Sequence, residues 1–362
     1  MDYELRRDKL RRMLRRLDVD ALLVTHFTNV TYLTGFTGDD SFLLLRGDGQ
    51  TVISDGWYVT QLQEECPALD LHIRAPGVAM NQAVVRALRA AGIGRLAIEG
   101  DSMTVGQRDR LAERLPKLRI VVASGLVEKL RLVKDKEEIA EIREAVWFAE
   151  RAFGVIRATL RPDQTEKEVA DELDHQFRRF GARGASFPPI VAAGARAALP
   201  HAKPTQQLLG RSDLVLIDWG AEGRLYKSDL TRVLVIGKIS PKLRRIYGVV
   251  LRAQTRAIAA IRPGITAGQV DAVARGVIAD AGFGRRFSHG LGHGLGLEVH
   301  EAPRLAAKSS IVLRPGMVVT VEPGVYVPGW GGIRIEDDVL VTRKGRELLS
   351  SVPKQLEEVV VG

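Results

Sequence analysis

The chain has 362 residues, 45% of them hydrophobic, and a formal net charge of +9 at pH 7. This length suffices for two domains with sizeable cores, and no apolar run approaches the roughly 20 residues that cross a membrane. A single cysteine, Cys66, excludes an internal disulfide framework and a thiolate metal cluster. The first helical segment carries acids and lacks a signal-peptide core, so we predict a soluble, cytoplasmic protein.

The positive charge does not by itself indicate a nucleic-acid partner. Only 13 of the 53 basic residues are lysines, and the arginines are interspersed with acids rather than gathered in one stripe. The chain also lacks the alternation of aromatic and basic residues that is typical of single-strand binders. A compositional bias toward arginine explains the high isoelectric point, and we expect neither a nucleic-acid nor a membrane partner.

Strand and helix patterns alternate through the first third of the chain. Strands are predicted at residues 21–25, 42–46, 51–54, 71–74, 96–99 and 118–122, and helical stretches near 57–65, 79–91 and 104–114. This alternation predicts a layered α/β domain, which we place at residues 1–126. The glycine pair Gly35 and Gly38 is too closely spaced for a dinucleotide-binding loop. The nearby acids are interpreted as turn residues (Asp39, Asp40 and Asp55).

A second domain, placed at residues 127–362, begins with a predicted amphipathic helix over residues 134–160. The pattern Arg-Pro-x-x-Thr that ends this helix at residues 161–165 recurs at residues 262–266, and each copy is followed by another helical pattern. The second domain therefore has the appearance of two related halves.

The two halves carry carboxylates at matching positions. In the first half an apolar strand ends Asp218-Trp-Gly and Asp229 lies on the following strand; the second half has Glu322-Pro-Gly and Glu336 in the same places. We therefore predict an internal duplication with a pseudo-twofold repeat. Two such halves, face to face, would bring four carboxylates to one point.

Residues 214–236 are predicted to form a hairpin that turns at Gly223 and Arg224. With the turn centred there, Asp218 and Asp229 lie directly opposite one another. Like charges at opposite positions destabilise a sheet unless a cation lies between them or one carboxyl takes up a proton. The alternative is a solvated hairpin with two surface aspartates.

Four of the seven histidines fall between residues 201 and 300, and three of them lie in the segment SHGLGHGLGLEVHE. The glycines of this segment remove side-chain bulk, which we interpret as allowing imidazoles and backbone to approach a ligand closely. Taken singly, each histidine is more simply a surface or core residue. Together with the four carboxylates, the histidines indicate a binding site (His201, His289, His293 and His300).

These motifs resemble a known family. Asp218, Asp229 in SDLTR, His293 in GHGLGLEVHEAP, Glu322 in TVEPGVY and Glu336 in GGIRIED resemble the ligand pattern of the metallopeptidases with the pita-bread fold. This family includes methionyl aminopeptidase, aminopeptidase P and prolidase. The segment NVTYLTGF resembles the N-terminal domain of creatinase and prolidase. The resemblance implies a creatinase-like α/β domain with a mixed sheet and helices, followed by an α+β pita-bread catalytic domain.

One imidazole and four carboxylates form a hard, oxygen-rich donor set that suits Mn²⁺, with Co²⁺, Fe²⁺ and Zn²⁺ as alternatives. The donor atoms are too many for one ion and suit two ions roughly 3.5 to 4 Å apart. The resemblance implies that Asp218 chelates one ion, that His293 and Glu322 hold the other, and that Asp229 and Glu336 bridge them. It also implies that a bridging hydroxide attacks the peptide carbonyl.

The resemblance assigns roles to further residues of the same segments. His201 and His300 match the family's substrate-binding and transition-state histidines. Glu322 takes the additional role of a proton shuttle and is thereby expected to be catalytic together with the two histidines. His289 and Tyr326, four residues from His293 and Glu322 respectively, are expected to line the substrate pocket.

Arg334 is a further candidate for the substrate site. It lies two residues before Glu336 on a predicted strand, so both side chains point to the same face. There it can neutralise and orient carboxylates. The alternative is a solvent-facing charge.

The domain organisation suggests the substrate. Methionyl aminopeptidase needs only the catalytic domain, whereas Xaa-Pro peptidases carry an extra N-terminal domain that restricts the cleft to short proline-containing peptides. We therefore predict hydrolysis of the N-terminal Xaa-Pro bond, by a dipeptidase of the prolidase type or by an aminopeptidase of the aminopeptidase P type. The family likeness also implies a homodimer. The alternatives are a metal-free, creatinase-like C–N hydrolase and a non-catalytic binding module, both expected to lack the complete ligand set.

Overall fold

The computed structural model describes residues 1–361 of the chain. These residues fold into two compact units, Met1–Arg131 and a second unit that begins at Leu132. The predicted boundary after residue 126 lies just inside the helix Leu126–Arg131, which belongs to the first unit, and the domain assignment stays a prediction. Within residues 1–361, no helix combines the length and the apolar character that a membrane crossing requires.

A six-stranded mixed sheet forms the centre of the first unit. Its strands are β1 (Ala21–Val24), β2 (Phe42–Arg46), β3 (Gln50–Asp55), β4 (Asp70–Arg74), β5 (Arg95–Glu99) and β6 (Arg119–Ala123). The strand order is β4-β3-β2-β1-β5-β6, with parallel pairs at β3–β4, β1–β5 and β5–β6. The helices are α1 (Tyr3–Leu14), α2 (Phe27–Thr34), α3 (Val59–Glu65), α4 (Met80–Ala90), α5 (Val105–Arg114) and α6 (Leu126–Arg131). The predicted α/β domain is confirmed.

Helix α2 has no counterpart among the predicted helices. Its sequence, FTNVTYLT, is rich in β-branched residues, which have a lower helix propensity. Residues 28–34 are nevertheless buried, and the helix ends at Gly35, which adopts a φ of 84°. Burial and the glycine stop therefore determine this helix, because tertiary packing overrides propensity.

The second unit contains two helix pairs, and one copy of the repeated Arg-Pro-x-x-Thr motif joins the two helices of each pair. Its helices are α7 (Lys136–Thr159), α8 (Glu166–Arg179), α9 (Pro241–Ala260) and α10 (Ala267–Asp280). Thr165 and Thr266 cap α8 and α10, and each forms a capping box with the residue three positions on. Thr165 also bridges to Leu208, and Thr266 to Val312. The motif therefore marks two copies of the same local structure.

Each half of the second unit surrounds its acids with antiparallel strands. The first half has β7 (Gly184–Ala185), β8 (Ile190–Ala193), β9 (Leu214–Trp219), β10 (Ala221–Glu222) and β11 (Leu230–Val235). The second half has β12 (Gly292–Gly294), β13 (Glu301–Leu305), β14 (Val318–Val321), β15 (Gly324–Val327), β16 (Gly331–Arg334), β17 (Asp337–Thr342) and β18 (Gly345–Leu348). β9 lies between β8 and β11, as β14 lies between β12 and β17. The four helices and these sheets enclose one apolar core.

The predicted register of the first hairpin is wrong. Asp218 lies opposite Thr231, two positions from the predicted partner Asp229. The reason is that the hairpin turns one residue later than predicted, between Arg224 and Leu225: Glu222 pairs with Lys227, and the Gly223 backbone N–H donates to Tyr226 O at 2.9 Å. Asp229 consequently lies just before β11. Both acids are nevertheless buried, which excludes the alternative of two surface aspartates.

The two halves are joined by an antiparallel bridge between Thr231 of β11 and Glu336, the residue before β17. The Glu336 backbone N–H donates to Thr231 O at 3.1 Å. This bridge, called here the junction, brings the chain beside Asp229 against the chain at Glu336. One acid of each half is therefore fixed relative to the other.

Candidate metal centre

A cavity of about 600 Å³ opens in the second unit, with walls drawn from both of its halves. All ten residues predicted to act in catalysis, substrate binding or metal binding line it. They are His201, Asp218, Asp229, His289, His293, His300, Glu322, Tyr326, Arg334 and Glu336. The sequence thus identifies the polar wall of a single cavity, while the role of each residue stays a prediction.

Asp218 and Asp229 enter the cavity from the first half. Asp218 lies near the end of β9, a strand whose six residues are all buried, so its position is firmly held. A Cβ on the following Gly220 would lie 1.9 Å from Ser228 O. Only glycine permits this close approach of two backbones. Gly220 therefore brings the chain before β11, and with it Asp229, against the end of β9.

His293 enters from the second half as the middle residue of the short strand β12. A Cβ on Gly292 would lie 2.2 Å from Thr320 O, and one on Gly294 would lie 2.1 Å from Ala302 O. These two glycines therefore admit the backbone of β14 and β13, and Gly292 also lines the cavity, while the interpretation that they let a ligand approach stays a prediction. Their packing fixes β12 between its neighbours and presents the His293 imidazole to the cavity.

The five candidate ligands fall into two overlapping groups. Carboxylate oxygens of Asp218, Asp229 and Glu336 lie within 4.8 Å of one another, and so do ligand atoms of His293, Glu322 and Glu336. His293 Nε2 is 3.3 Å from Glu322 Oε1 and 3.5 Å from Asp229 Oδ2. Glu336 belongs to both groups, and Asp229 lies near both. This arrangement fits two ions that share the two carboxylates predicted to bridge.

Three carboxylates of this cluster are buried, that of Glu322 is partly buried, and the four acids repel one another. Burial is the largest cause that raises the pKa of Asp229 and Glu336 well above the usual value, and it raises the pKa of Glu322 to about 8. Asp218 Oδ1 and Glu336 Oε1 are buried without a hydrogen-bond donor among residues 1–361. Such oxygens are costly, and divalent ions satisfy both their charge and their acceptor capacity. The donor set therefore fits two divalent ions.

His293 has the protonation state of a metal ligand. Burial lowers the pKa of His293 to about 3, so the ring is neutral at pH 7. Its Nδ1 lies 3.1 Å from Gly294 O, and because a carbonyl only accepts, the ring proton is on Nδ1. Nε2, which faces Glu322 and Asp229, consequently presents a lone pair. A carbonyl that fixes one ring nitrogen is the usual partner of a metal-binding histidine.

Arg334 is buried among these acids, which excludes the solvent-facing alternative. Its Nη2 donates to Asp218 Oδ2, and its Nη1 donates to Tyr326 Oη at 2.9 Å. Its Nε donates to Thr231 Oγ1 at 3.0 Å. Tyr326 Oη also lies 2.9 Å from Nε2 of His289. One guanidinium therefore orients an acid, a phenol and a hydroxyl on the same wall.

The remaining two candidate histidines, His201 and His300, have ring nitrogens that are available to a substrate. The His300 ring stands edge-on to the His293 ring, with 4.3 Å between centroids. Burial lowers the pKa of His300, so this ring is also neutral at pH 7. His201 lies on the segment between β8 and β9 and lines the same cavity. An imidazole at either position can donate one ring N–H to a substrate carbonyl.

Three buried residues that contact the candidate ligands were not predicted: Thr231, Thr320 and Asp338. Thr231 Oγ1 donates to Glu336 Oε2 at 2.6 Å, and Thr320 Oγ1 accepts from the His293 backbone N–H at 3.1 Å. Each threonine lies two residues from a candidate ligand and so shares a strand face with it. This spacing was the available signal. Asp338 carries no comparable signal, because its Oδ2 accepts from the backbone N–H of Asp229 at 3.1 Å, and a backbone donor does not depend on residue type.

Two cations and an apolar surface complete the lining. The side chains of Lys203 and Arg304 form no ion pair or hydrogen bond among residues 1–361. The positive charge of Arg304 is felt inside the cavity, where it adds to burial in lowering the pKa of His300. The apolar lining includes Phe187, Pro188, Pro189, Ile190 and Val299. The cavity therefore offers charge and apolar contact to one small ligand.

Comparison with known families accounts for both units. Residues 140–343 match metallopeptidase family M24, and residues 6–133 match the creatinase/prolidase N-terminal domain. The chain belongs to metallopeptidase family M24 and carries a creatinase/prolidase-type N-terminal domain. The predicted family and fold class are therefore confirmed. Family membership implies divalent metal ions, while the identity of the metal stays a prediction.

Individual relatives match over nearly the whole chain. The peptidase YqhT of Bacillus subtilis is 41% identical over 349 residues, which are 96% of this chain and 98% of the relative. An Xaa-Pro dipeptidase structure from Bacillus anthracis has a TM-score of 0.94 at 37% identity and covers 99% of this chain and 100% of its own. An X-Pro aminopeptidase structure from Thermotoga maritima has a TM-score of 0.88 at 34% identity, with coverages of 96% and 99%.

Proposed function

We propose that the protein hydrolyses the Xaa-Pro bond of dipeptides, with two divalent ions held by Asp218, Asp229, His293, Glu322 and Glu336. The observation that carries the proposal is the cluster of four carboxylates, three buried and one partly buried, two of whose oxygens have no hydrogen-bond donor among residues 1–361. The similarity to an Xaa-Pro dipeptidase and to an X-Pro aminopeptidase supports the same class of reaction. Mn²⁺ is the ion we favour, because the donor set is rich in oxygen.

Two divalent ions held by these residues would lower the pKa of water toward neutrality and polarise a peptide carbonyl. The protein contributes carboxylates that are each anchored by one oxygen. Arg334 holds Oδ2 of Asp218, and Thr231 holds Oε2 of Glu336. In both acids the other oxygen has no donor within residues 1–361 and is available to an ion. The ligands are therefore oriented before a metal binds, which reduces the cost of binding it.

Glu322 and the histidines act on the substrate. Glu322 accepts a proton and passes it to the departing proline nitrogen, because its carboxylate lines the cavity beside His293. His201 and His300 donate ring N–H groups to the carbonyl oxygen as negative charge develops on it. The cavity holds these groups around one small volume, so they can act on a single peptide bond.

The cations of the lining favour a dipeptide over a longer peptide. In an Xaa-Pro dipeptide, the carboxylate directly follows the proline ring and needs a positive partner in the cavity. Arg304 and Lys203 offer that charge because neither is used in an ion pair among residues 1–361. Phe187 and Pro188 offer apolar contact to the ring. A volume of about 600 Å³ also lies within the usual range for small-ligand pockets.

The proposal is tested with Met-Pro, Met-Pro amide and Met-Pro-Ala as substrates of the Mn²⁺-loaded protein. We expect Met-Pro to have the highest kcat/KM and the amide to lose about tenfold or more, since a hydrogen bond to a charged group contributes about 1.5 to 3 kcal/mol. Arg304→Ala should remove this preference. Arg343→Ala changes an exposed arginine outside the cavity and is the matched control.

Two results would contradict the proposal in different ways. A higher kcat/KM for Met-Pro-Ala than for Met-Pro would assign the protein to the aminopeptidase type. Turnover that survives removal of metal by EDTA would contradict the metal centre itself.

A further inference from the structure

Arg232 is fully buried and lies at the junction between the two halves. Its Nη1 donates to both residues of the bridge, to Glu336 O at 2.6 Å and to Thr231 O at 2.9 Å. Asp229, the shared candidate ligand of the first half, lies just before β11, the strand that contains Arg232. One guanidinium nitrogen therefore holds together the two chain segments that carry the shared carboxylates.

The other nitrogens of Arg232 hold a segment outside the cavity, residues 350–354. Nε donates to Pro353 O at 3.1 Å, and Nη2 donates to Val352 O at 2.7 Å. Nη2 also donates to Asp337 Oδ1 at 2.7 Å. A lysine cannot make these contacts together, because its ammonium is a point donor rather than a planar fork. Arg232 thus links the junction to a segment that contributes nothing to the cavity lining.

Asp337, which accepts from Arg232, also accepts hydrogen bonds from three further side chains. Ser350 Oγ donates to its Oδ1 at 2.7 Å, and Gln254 Nε2 donates to its Oδ2 at 2.6 Å. The Lys354 ammonium also donates to Oδ2. Two cations, Arg232 and Lys354, therefore enclose one buried carboxylate whose oxygens both accept hydrogen bonds. The group is saturated and has no capacity for a ligand.

We propose that Arg232, Asp337 and Lys354, together called the clasp, are positioning residues that set the spacing between Asp229 and Glu336. The inference rests on the proposed metal centre, because those two acids are its shared ligands. None of the clasp residues lines the cavity, so none touches the substrate. The clasp acts through the backbone carbonyls of the junction. Outer partners of metal ligands typically change metal affinity by 10- to 100-fold, which is the effect expected here.

The test measures metal binding separately from stability. Lys354→Met removes the ammonium from Asp337. The metal-free, full-length variant is titrated with MnCl₂ by calorimetry to obtain the Kd, and its thermal unfolding is recorded in a separate experiment. We expect the Mn²⁺ Kd to rise about tenfold or more. Lys344→Met, which changes an exposed lysine outside the cavity, should leave the Kd within about twofold, and Lys354→Arg should restore most of the affinity.

A purely structural role predicts a different result. Val169→Ala, a core change in α8, serves as a variant that loses stability without touching the clasp. If Lys354→Met and Asp337→Asn unfold at lower temperature but bind Mn²⁺ with the wild-type Kd, the inference is overturned. Absence of Mn²⁺ binding by the wild-type protein overturns the metal centre and the inference together. The failure of the inference alone is therefore distinguishable.

Discussion

Buried glutamates occur in both units, and their surroundings differ. In the first unit, Glu99 Oε2 accepts from the backbone N–H of Thr25 at 2.6 Å and of His26 at 2.7 Å. Its Oε1 accepts from Asn29 Nδ2 at 2.7 Å. Burial raises the pKa of Glu99 all the same. Both carboxylate oxygens of Glu99 therefore accept hydrogen bonds from residues of the first unit.

Glu336 in the second unit shares the burial and the raised pKa, but not the hydrogen bonds. Only its Oε2 accepts, from Thr231, while Oε1 has no donor among residues 1–361. Burial and an elevated pKa therefore do not distinguish a structural carboxylate from a candidate ligand. An oxygen that has no donor within residues 1–361 and lies on an acid among other ligand atoms does distinguish them.

The difference is tested most directly by the same substitution at both positions. Glu336→Gln keeps the shape of the side chain but removes a shared ligand, so kcat/KM should fall at least about 100-fold, more than the loss of an outer partner produces. Glu99→Gln should leave kcat/KM within about twofold. Steady-state kinetics and the metal content of both variants give the answer, and normal turnover by Glu336→Gln would contradict the metal centre.

A smaller effect is expected when only the anchor of Glu336 is removed. Thr231→Val is nearly isosteric and deletes the hydroxyl that donates to Glu336 and accepts from Arg334. We expect kcat/KM and Mn²⁺ affinity to fall roughly tenfold. Thr159→Val, which deletes an exposed hydroxyl bonded to its own helix, is the matched control. An unchanged Kd would show that Glu336 needs no anchor.

Metal removal should have a stability cost that depends on pH. In the metal-free protein the pKa values of Asp229, Glu322 and Glu336 lie above their unfolded values. Their contribution to stability is therefore present below about pH 4 and is lost as pH rises toward the folded values, about 8 for Glu322. Mn²⁺ at 100 times its Kd contributes about 2.7 kcal/mol.

The increase in Tm on addition of MnCl₂ should consequently be larger at pH 8 than at pH 5. Thermal unfolding with and without the metal at both pH values measures it. Equal increases would mean that the acids do not carry the unfavourable charge inferred for them.

The least effect on activity, with a loss of stability instead, is expected in the first unit. Glu99→Gln places an amide NH₂ where a carboxylate oxygen accepts backbone donors, which should cost about 1 to 3 kcal/mol of unfolding free energy. Urea unfolding measures this change, with the exposed Glu113→Gln as the control. A variant as stable as the wild type would remove the contrast with Glu336.

The sequence was most informative where local features determine the structure. An apolar run followed by acid-x-Gly correctly predicted β9 and β14 with Asp218 and Glu322 at their ends. Both the burial of the strand and the glycine turn depend on residues that are adjacent in sequence. The register of β11 was not predictable in this way. It depends on the exact position of the turn, which lies between Arg224 and Leu225, one residue later than predicted.

The clasp shows a second reason for missed residues. Arg232 was visible in the sequence, but its acceptors are backbone carbonyls 104 and 121 residues away. Backbone acceptors leave no signature in residue types, so no motif could have indicated them. Helix α2 was missed for a related reason, since its burial overrides the propensity of its β-branched residues.

The junction has a consequence for how the protein acquires its metal. Thr231 and Glu336 are 105 residues apart, and closing so long a loop has a substantial entropic cost. Neither half alone holds more than a fragment of the ligand set, so an ion gains little from an unfolded or half-folded chain. We expect the ions to bind after the halves have docked. Mn²⁺ should then slow unfolding while leaving the refolding rate unchanged, as stopped-flow measurements can show.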